Sequence, residues 1–139
     1  MPAKDIYHNI VKNALIKDGW TITHDPLRIR LSSGKNLFVD LAGERLIAAE
    51  RGIEKIAVEV KSFTRPSEMS ALEEAVGQFV LYNQLLKRYH PEYVLYLAVT
   101  EDIRQSVFEQ EAGKTMLEDK IVRLFSFDEK SEVIAQWIP

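Results

Sequence analysis

Three charged residues, Asp40, Glu59 and Lys61, have the types and spacing of a metal-dependent catalytic site. Glu59 and Lys61 are two residues apart within the apolar run Ile56–Phe63, so on a strand they project from the same face. Burying such charges is costly unless a partner or a metal compensates them. Asp40 and Glu59 would offer hard oxygen ligands to a divalent cation such as Mg²⁺, and Lys61 could stabilise a developing negative charge. The pattern predicts a metal-dependent phosphodiesterase site.

The acid-x-Lys triplet also has a second interpretation. On an exposed strand, Glu59 and Lys61 would form a solvated ion pair of little energetic weight. Val58 and Val60 flank the charges with apolar residues, which favours a buried strand and therefore the metal site.

The aspartate in the site depends on how two strands pair. A tight turn at Arg51-Gly52 would place Glu59 opposite a residue near Glu44, whereas a bulge at Ala42-Gly43 would bring Asp40 into reach. Glu44 and Glu50 are therefore alternatives to Asp40. We favour Asp40 because Val39 and Leu41 embed it in a predicted strand.

The elements that would position these residues are predicted from hydrophobic periodicity and turn signals. They are a first helix ended by Gly19, strands over residues 20–32, 37–42, 46–50 and 55–63, a long helix over 67–89, and a strand over 93–100. Asp25-Pro26 should bend the first of these strands. Helices over 103–109 and 114–119 and a strand pair over 121–127 and 132–138 follow. The result is an α/β fold, a mixed sheet flanked by helices, with an αβββαβ core and C-terminal additions.

The long helix carries a second group of polar residues. Glu74, Gln78 and Tyr82 stand at i, i+4 and i+8, so they share one stripe. The stripe would either face the site or be an ordinary solvent-exposed face. Gly77 could let the helix approach the sheet closely. Near the N terminus, Asp5, His8 and Lys12 fall on one face of the first helix.

The spacing of Asp40, Glu59 and Lys61 resembles that of the PD-(D/E)xK nuclease superfamily, which has the restriction-endonuclease fold. The resemblance implies a Mg²⁺ or Mn²⁺ cofactor held by Asp40 and Glu59. It also implies a glutamine near the metal, and Gln78 occupies the corresponding place. The catalytic set implied is Asp40, Glu59, Lys61 and Gln78.

Longer stretches resemble a narrower family, the XisH proteins, which are fdxN-element excision controlling factors. These stretches are residues 3–15, 18–27, 46–52, 56–63, 77–79 and 94–99. The resemblance implies a cyanobacterial protein that controls programmed, site-specific excision of a DNA element. It also implies DNA and a XisI-like companion protein as partners, beside a site-specific recombinase.

Composition bounds the remaining possibilities. With 139 residues and 46% hydrophobic content, the chain is predicted to form one restriction-endonuclease-like domain over residues 1–139. No apolar run approaches the roughly 20 residues that cross a bilayer, so we expect no membrane association and a cytoplasmic location. The absence of cysteine excludes disulfides and thiolate chemistry.

Charge is divided unevenly along the chain. The net charge is −3, but residues 1–65 contain eleven Lys/Arg and eight Asp/Glu, whereas residues 66–139 contain seven and thirteen. We therefore expect weak DNA binding by the chain alone, and stronger binding once a XisI-like partner or a second copy in a homo-oligomer covers the acidic half. Basic residues that could line a phosphate-facing groove are Lys35, Arg45, Arg51, Lys55, Lys61 and Arg65.

Overall fold

The backbone forms four helices and eight strands within residues 6–48, 52–63 and 67–139, the part of the chain that a computed structural model describes. The helices are α1 (His8–Lys17), α2 (Glu68–Tyr89), α3 (Glu101–Ser106) and α4 (Glu111–Glu118). The strands are β1 (Thr21–His24), β2 (Leu27–Arg30), β3 (Asn36–Val39), β4 (Leu41–Ala48), β5 (Gly52–Val60), β6 (Val94–Thr100), β7 (Leu124–Asp128) and β8 (Val133–Ile138).

Six of the strands form one mixed sheet in the order β1-β4-β5-β6-β7-β8. β4 is antiparallel to both of its neighbours, β5, β6 and β7 run parallel, and β8 closes the edge antiparallel to β7. The other two strands, β2 and β3, form a separate hairpin between β1 and β4. Within the large sheet the elements therefore follow the predicted αβββαβ order, and the prediction of a mixed sheet flanked by helices is confirmed.

The helices α1 and α2 cover opposite faces of the sheet. Val11 and Leu15 of α1 belong to the same buried cluster as Val58, whereas Phe79 of α2 belongs to a second cluster with Ala57. Alternate residues of β5 thus face different helices, as strand geometry requires. Consequently Glu59, which alternates with Val58, lies on the α2 side.

Local signals set the start of α2 and the end of α1, and the second of these, at Gly19, was predicted. The Ser67 hydroxyl accepts a hydrogen bond from the Ser70 amide at 3.3 Å, which caps the start of α2. Helix α1 ends at Lys17, and Gly19 follows with a φ of +95°, a left-handed conformation that glycine adopts without a steric penalty. No helix of the described ranges is long and apolar enough to cross a membrane.

The strands before β5 differ from the prediction. The single strand expected over residues 20–32 is two strands in different sheets, because the chain leaves the large sheet at Asp25-Pro26, where proline lacks the amide that a ladder needs. The separate strands expected over 37–42 and 46–50 are instead β3 and a continuous β4.

The bulge at Ala42-Gly43 that would have brought Asp40 into reach is absent from the ladder between β4 and β5. Leu41, Ala42 and Gly43 pair in unbroken succession with residues of β5, and the irregularity lies between Leu46 and Ala48. Gly43 has a different physical role, because a Cβ there would approach the backbone oxygen of Thr21 in β1 to 3.1 Å. A glycine at this position therefore allows β1 to pair closely with β4.

The C-terminal elements were predicted with shifted boundaries. Helix α3 begins at Glu101 because the Thr100 hydroxyl caps it, accepting a hydrogen bond from the Ile103 amide at 3.2 Å. Helix α4 begins at Glu111 rather than at residue 114, and β7 begins at Leu124 rather than at residue 121. Terminal residues of an element carry weak periodicity, so caps and tertiary contacts decide them.

Candidate metal site

Asp40 and Glu59 lie side by side where β4 begins and β5 ends. The register pairs Leu41 with Val58, so the next pair along these antiparallel strands is Asp40 opposite Glu59. The Asp40 amide donates a hydrogen bond to Oε1 of Glu59 at 3.1 Å, and the Val60 amide donates to Oδ2 of Asp40 at 2.8 Å. Each carboxylate is thus held by the backbone of the other strand.

The two carboxylates occupy a largely dry environment. Glu59 is only 4% exposed and Asp40 is half-buried. A hydrogen bond from an amide offsets part of the cost of burying a carboxylate. Carboxylate oxygens are also the ligands that a hard divalent cation prefers.

Helix α2 carries Gln78 and Tyr82, both half-buried, and Tyr82 packs on the side of the sheet where Glu59 lies. The Gln78 side chain is hydrogen-bonded to the Tyr82 hydroxyl. Burial raises the pKa of Tyr82, and the negative charges of Glu59 and Asp40 raise it further, although the hydrogen bond to Gln78 acts in the opposite direction. The tyrosine therefore lies within the electrostatic reach of both carboxylates and brings Gln78 to the same site.

Lys61 follows directly after β5 on the same side of the sheet as Glu59. Its amide donates to the carbonyl oxygen of Ala98 at 3.0 Å, so the hydrogen-bonded ladder with β6 continues past the end of β5. Because alternation continues with the ladder, Lys61 projects toward α2, and it is half-exposed. Lys61 thus lies two residues beyond Glu59 on the same side of the sheet.

The alternatives to Asp40 lie elsewhere. Glu44 pairs with Lys55, four residues from Asp40 along β4 and hence about 13 Å away. Glu50 lies outside the described residues. The register that would have aligned Glu44 with Glu59 is not the one observed, because Ala48 pairs with Gly52 and Glu44 with Lys55.

Two further expectations about polar and glycine positions change. Glu74, the first member of the predicted stripe, is exposed, while Gln78 and Tyr82 are half-buried. The expectation that Gly77 lets α2 approach the sheet was wrong: Gly77 is exposed and a Cβ there would meet nothing within 4 Å. Gly77 faces away from the sheet because it lies on the side of α2 opposite to Phe79.

The two carboxylates are a donor set that suits Mg²⁺ better than zinc. Among the described residues, no group of three or more His, Cys, Asp or Glu side chains could hold a metal ion. Mg²⁺ is commonly bound by one or two carboxylates, with water and substrate phosphate completing its coordination. A pair of carboxylates with a half-exposed border matches that mode, whereas a zinc site would need more protein ligands.

A buried charged cluster near the first helix was only partly anticipated. His8 and Lys12 share a helical face as predicted, and both contact Asp25, a partner that local spacing does not indicate. Nε2 of His8 lies 2.6 Å from Oδ1 of Asp25, and Nζ of Lys12 lies 2.9 Å from Oδ2. Burial acts to raise the pKa of Asp25, but the hydrogen bonds from Lys12 and His8 outweigh it and lower the pKa overall. Asp5 lies outside the described residues.

The proposed basic groove is not assembled as a unit. The Arg45 guanidinium stacks over the Trp20 ring at 4.4 Å and pairs with Glu54 at 3.0 Å on the α1 side of the sheet. Lys55 instead approaches the ring of Tyr93, which packs on the α2 side. Arg45 pairs with Glu54, and Lys55 pairs with Glu44 in the adjacent position of the ladder. Because adjacent pairs project from opposite faces of a sheet, Arg45 and Lys55 face opposite directions. Arg51 and Arg65 lie outside the described residues.

Comparisons with known proteins agree on one family. The model of the XisH protein family matches residues 1–135. The structure of a XisH family protein from Nostoc punctiforme PCC 73102 is 46% identical, with a TM-score of 0.85, over 97% of this chain and 100% of that one. An fdxN element excision controlling factor protein from Anabaena variabilis is 42% identical, also with a TM-score of 0.85, over 98% of this chain and 100% of that one. No curated protein matches the chain. The chain belongs to the XisH family.

Proposed function

We propose that the chain is a DNA-processing factor in programmed element excision, and that Asp40 and Glu59 bind Mg²⁺ or Mn²⁺ in an endonuclease-type site. The observation that carries this proposal is the pair of reciprocal hydrogen bonds that fix the two carboxylates against each other, at 3.1 Å and 2.8 Å. Support for the biological setting comes from the Anabaena variabilis relative, which is described as an excision controlling factor. Support for the chemistry comes from the resemblance to PD-(D/E)xK nucleases.

The chain's own residues would have distinct roles. A metal held by Asp40 and Glu59 would supply a water of lowered pKa and polarise a phosphodiester. Lys61, at the half-exposed border, would stabilise negative charge on the phosphate. Gln78 and Tyr82 would orient the carboxylates and limit access of bulk water from the α2 side.

Titration calorimetry with Mn²⁺ tests the metal site. Wild-type protein should bind the ion, and Glu59→Gln should abolish binding because it removes a charge while keeping an oxygen that can accept the Asp40 amide. Glu44→Gln is the matched control, since Glu44 lies on the neighbouring strand β4, opposite Lys55. Equal heats from wild type and Glu59→Gln would exclude the site.

Nicking of supercoiled or branched DNA tests the chemistry. Activity should require Mg²⁺ and fall by about 10²-fold or more in Lys61→Ala. Lys55→Ala is the control and should retain activity, because Lys55 lies on β5 four residues before Glu59. Cleavage that persists in Lys61→Ala or with a chelator would point to a contaminating nuclease and count against the proposal.

A non-catalytic DNA- or protein-binding module is the second candidate. The reciprocal hydrogen bonds favour it in one respect, because they would brace β4 against β5 even without a metal. A fold of this kind does not fix a function. Wild-type protein that binds no Mn²⁺ and cuts no DNA, yet still shifts DNA in a gel, would support this candidate over the endonuclease.

Partner dependence follows from the charge division. The excess of acidic residues in 66–139 should repel phosphates unless that half faces away from DNA or is covered. Mobility shifts across a salt series should therefore show weak binding by the chain alone and stronger binding with a XisI-like protein. Tight binding by the isolated chain, unchanged by the partner, would contradict this expectation.

A further inference from the structure

The outward face of α2 carries symmetrically spaced residues that are not part of the candidate metal site. Its exposed residues include Glu73, Gly77, Val80, Leu81, Gln84 and Arg88. At about 100° per residue these six positions fall on one stripe, on the side opposite to Phe79. We call this set the α2 stripe. Val80 is 41% exposed and Leu81 is 54% exposed, so the centre of the stripe is apolar.

The spacing of the stripe is symmetric about its centre. Val80 and Leu81 are adjacent, Gly77 and Gln84 each lie three residues outside them, and Glu73 and Arg88 each lie four residues farther out. We propose that the α2 stripe is the contact surface of a two-fold symmetric homodimer, in which α2 packs antiparallel to α2 of a second copy. In that arrangement Val80 contacts the partner's Leu81, Gly77 faces the partner's Gln84, and Glu73 meets the partner's Arg88.

Charge complementarity selects a second copy in this orientation. An antiparallel pair places Glu73 beside the partner's Arg88 at both ends, whereas a parallel pair would place like charges together. Each exposed ion pair contributes less than about 1 kcal/mol, so these charges determine the relative orientation of the two helices more than the affinity of the dimer. Two exposed aliphatic residues would be ordinary on any surface; their position at the centre of an acidic-to-basic stripe is what a self-complementary interface requires.

Gly77 is a second, independent argument for a helix–helix contact at the α2 stripe. Glycine inside a helix costs about 1 kcal/mol relative to alanine, and the chain's own fold gives nothing in return, because a Cβ at Gly77 would meet no atom within 4 Å. A glycine on a helix surface does allow a second helix to approach toward the short end of the 8–10 Å range of interaxial distances. The position is therefore explained by an intermolecular helix contact.

Sedimentation velocity of the intact chain tests the apolar centre. Wild type should show a concentration-dependent monomer–dimer equilibrium. Val80→Lys should raise the dimer dissociation constant tenfold or more, because it buries two ammonium groups at the symmetry axis. Val94→Lys is the matched control, since Val94 is equally exposed, at 42%, but lies on β6. A wild-type monomer at every soluble concentration, or a dimer indifferent to Val80→Lys, would overturn the proposal and leave the stripe to another protein.

Charge exchange tests the orientation. Glu73→Arg and Arg88→Glu should each raise the dissociation constant severalfold, because each opposes like charges at both ends of the pair. The double variant should restore dimerisation, since it recreates the complementary pairs in reversed order. A double variant as weak as either single variant would exclude the antiparallel register.

Cross-linking gives a direct geometric readout, because the chain has no cysteine of its own. An equimolar mixture of Glu73→Cys and Arg88→Cys should oxidise to a disulfide-linked dimer, whereas neither variant alone should. In the antiparallel pair two copies of residue 73 lie 15 residues apart along the helices, about 22 Å. Self-linking of Glu73→Cys would indicate a parallel pair and refute the proposal.

Discussion

Replacing Glu59 by glutamine should make the metal-free protein more stable while removing its response to metal. Glu59 is 4% exposed, and its carboxylate is held next to that of Asp40 by the reciprocal amide hydrogen bonds. Like charges roughly 5 Å apart repel by about 3 kcal/mol at an effective dielectric constant of about 20. The substitution removes that repulsion.

The same substitution also weakens one hydrogen bond. The glutamine oxygen can still accept from the Asp40 amide, but a neutral acceptor contributes about 1 kcal/mol less than a charged one. Together, these two contributions would raise the free energy of unfolding of Glu59→Gln by about 1–2 kcal/mol in the presence of a chelator. Catalytic and binding sites commonly carry such a cost in stability.

Mn²⁺ should make wild type more stable than Glu59→Gln, the reverse of the order expected with a chelator. A ligand at about one hundred times its dissociation constant stabilises the native state by about 2.7 kcal/mol. Wild type should gain that amount and Glu59→Gln should not, so their urea unfolding curves should exchange places between chelator and Mn²⁺. A variant that is less stable than wild type under both conditions, with no effect of Mn²⁺ on wild type, would refute the reasoning and make Glu59 a structural residue.

Two predictions concern other parts of the fold. Hydrogen bonds from Arg104 lower the pKa of Glu101 from 4.5 to about 2 despite the opposing effect of burial, so the stabilisation is complete above pH 4.5 and is lost as the pH falls toward 2. Allowing for partial exposure, Glu101→Gln should cost about 1–2 kcal/mol at neutral pH and much less near pH 2; an equal cost at both pH values in urea unfolding would contradict this. Gly113→Ala should destabilise by about 1–3 kcal/mol, because a Cβ would overlap the carbonyl oxygen of Val107. Gly77→Ala, the matched control, should instead stabilise the monomer by up to about 1 kcal/mol, and thermal unfolding of the dilute proteins would distinguish the two.

Much of the candidate site followed from short-range patterns. Strand alternation placed Glu59 and Lys61 on one face and Val58 on the other, and the structure has that division, since Val58 packs in the α1 cluster. The helical stripe that contains Gln78 and Tyr82 was equally local. Such patterns fix the direction of a side chain because they depend only on the geometry of a single element.

The pairing register of β4 and β5 could not be predicted from the sequence. The pairing of Asp40 with Glu59 depends on where β4 and β5 reverse, and a shift of two residues would have exchanged Asp40 for another partner without altering any local pattern. Asp25-Pro26 indicated a bend within residues 20–32, but the packing of the β2–β3 hairpin, whose Leu27 and Ile29 are buried on the α2 side, placed the second half in a separate sheet.

The sequence by itself determined the family, the main elements and the faces on which the charged residues lie. Only the tertiary structure decided which of these charges meet. It joined His8 to Asp25 across 17 residues, placed Tyr82 near both carboxylates, and left Gly77 on the outward side of α2. The reason is physical: one-dimensional periodicity fixes orientation within an element, whereas contacts between elements depend on register and packing, which many distant residues set together.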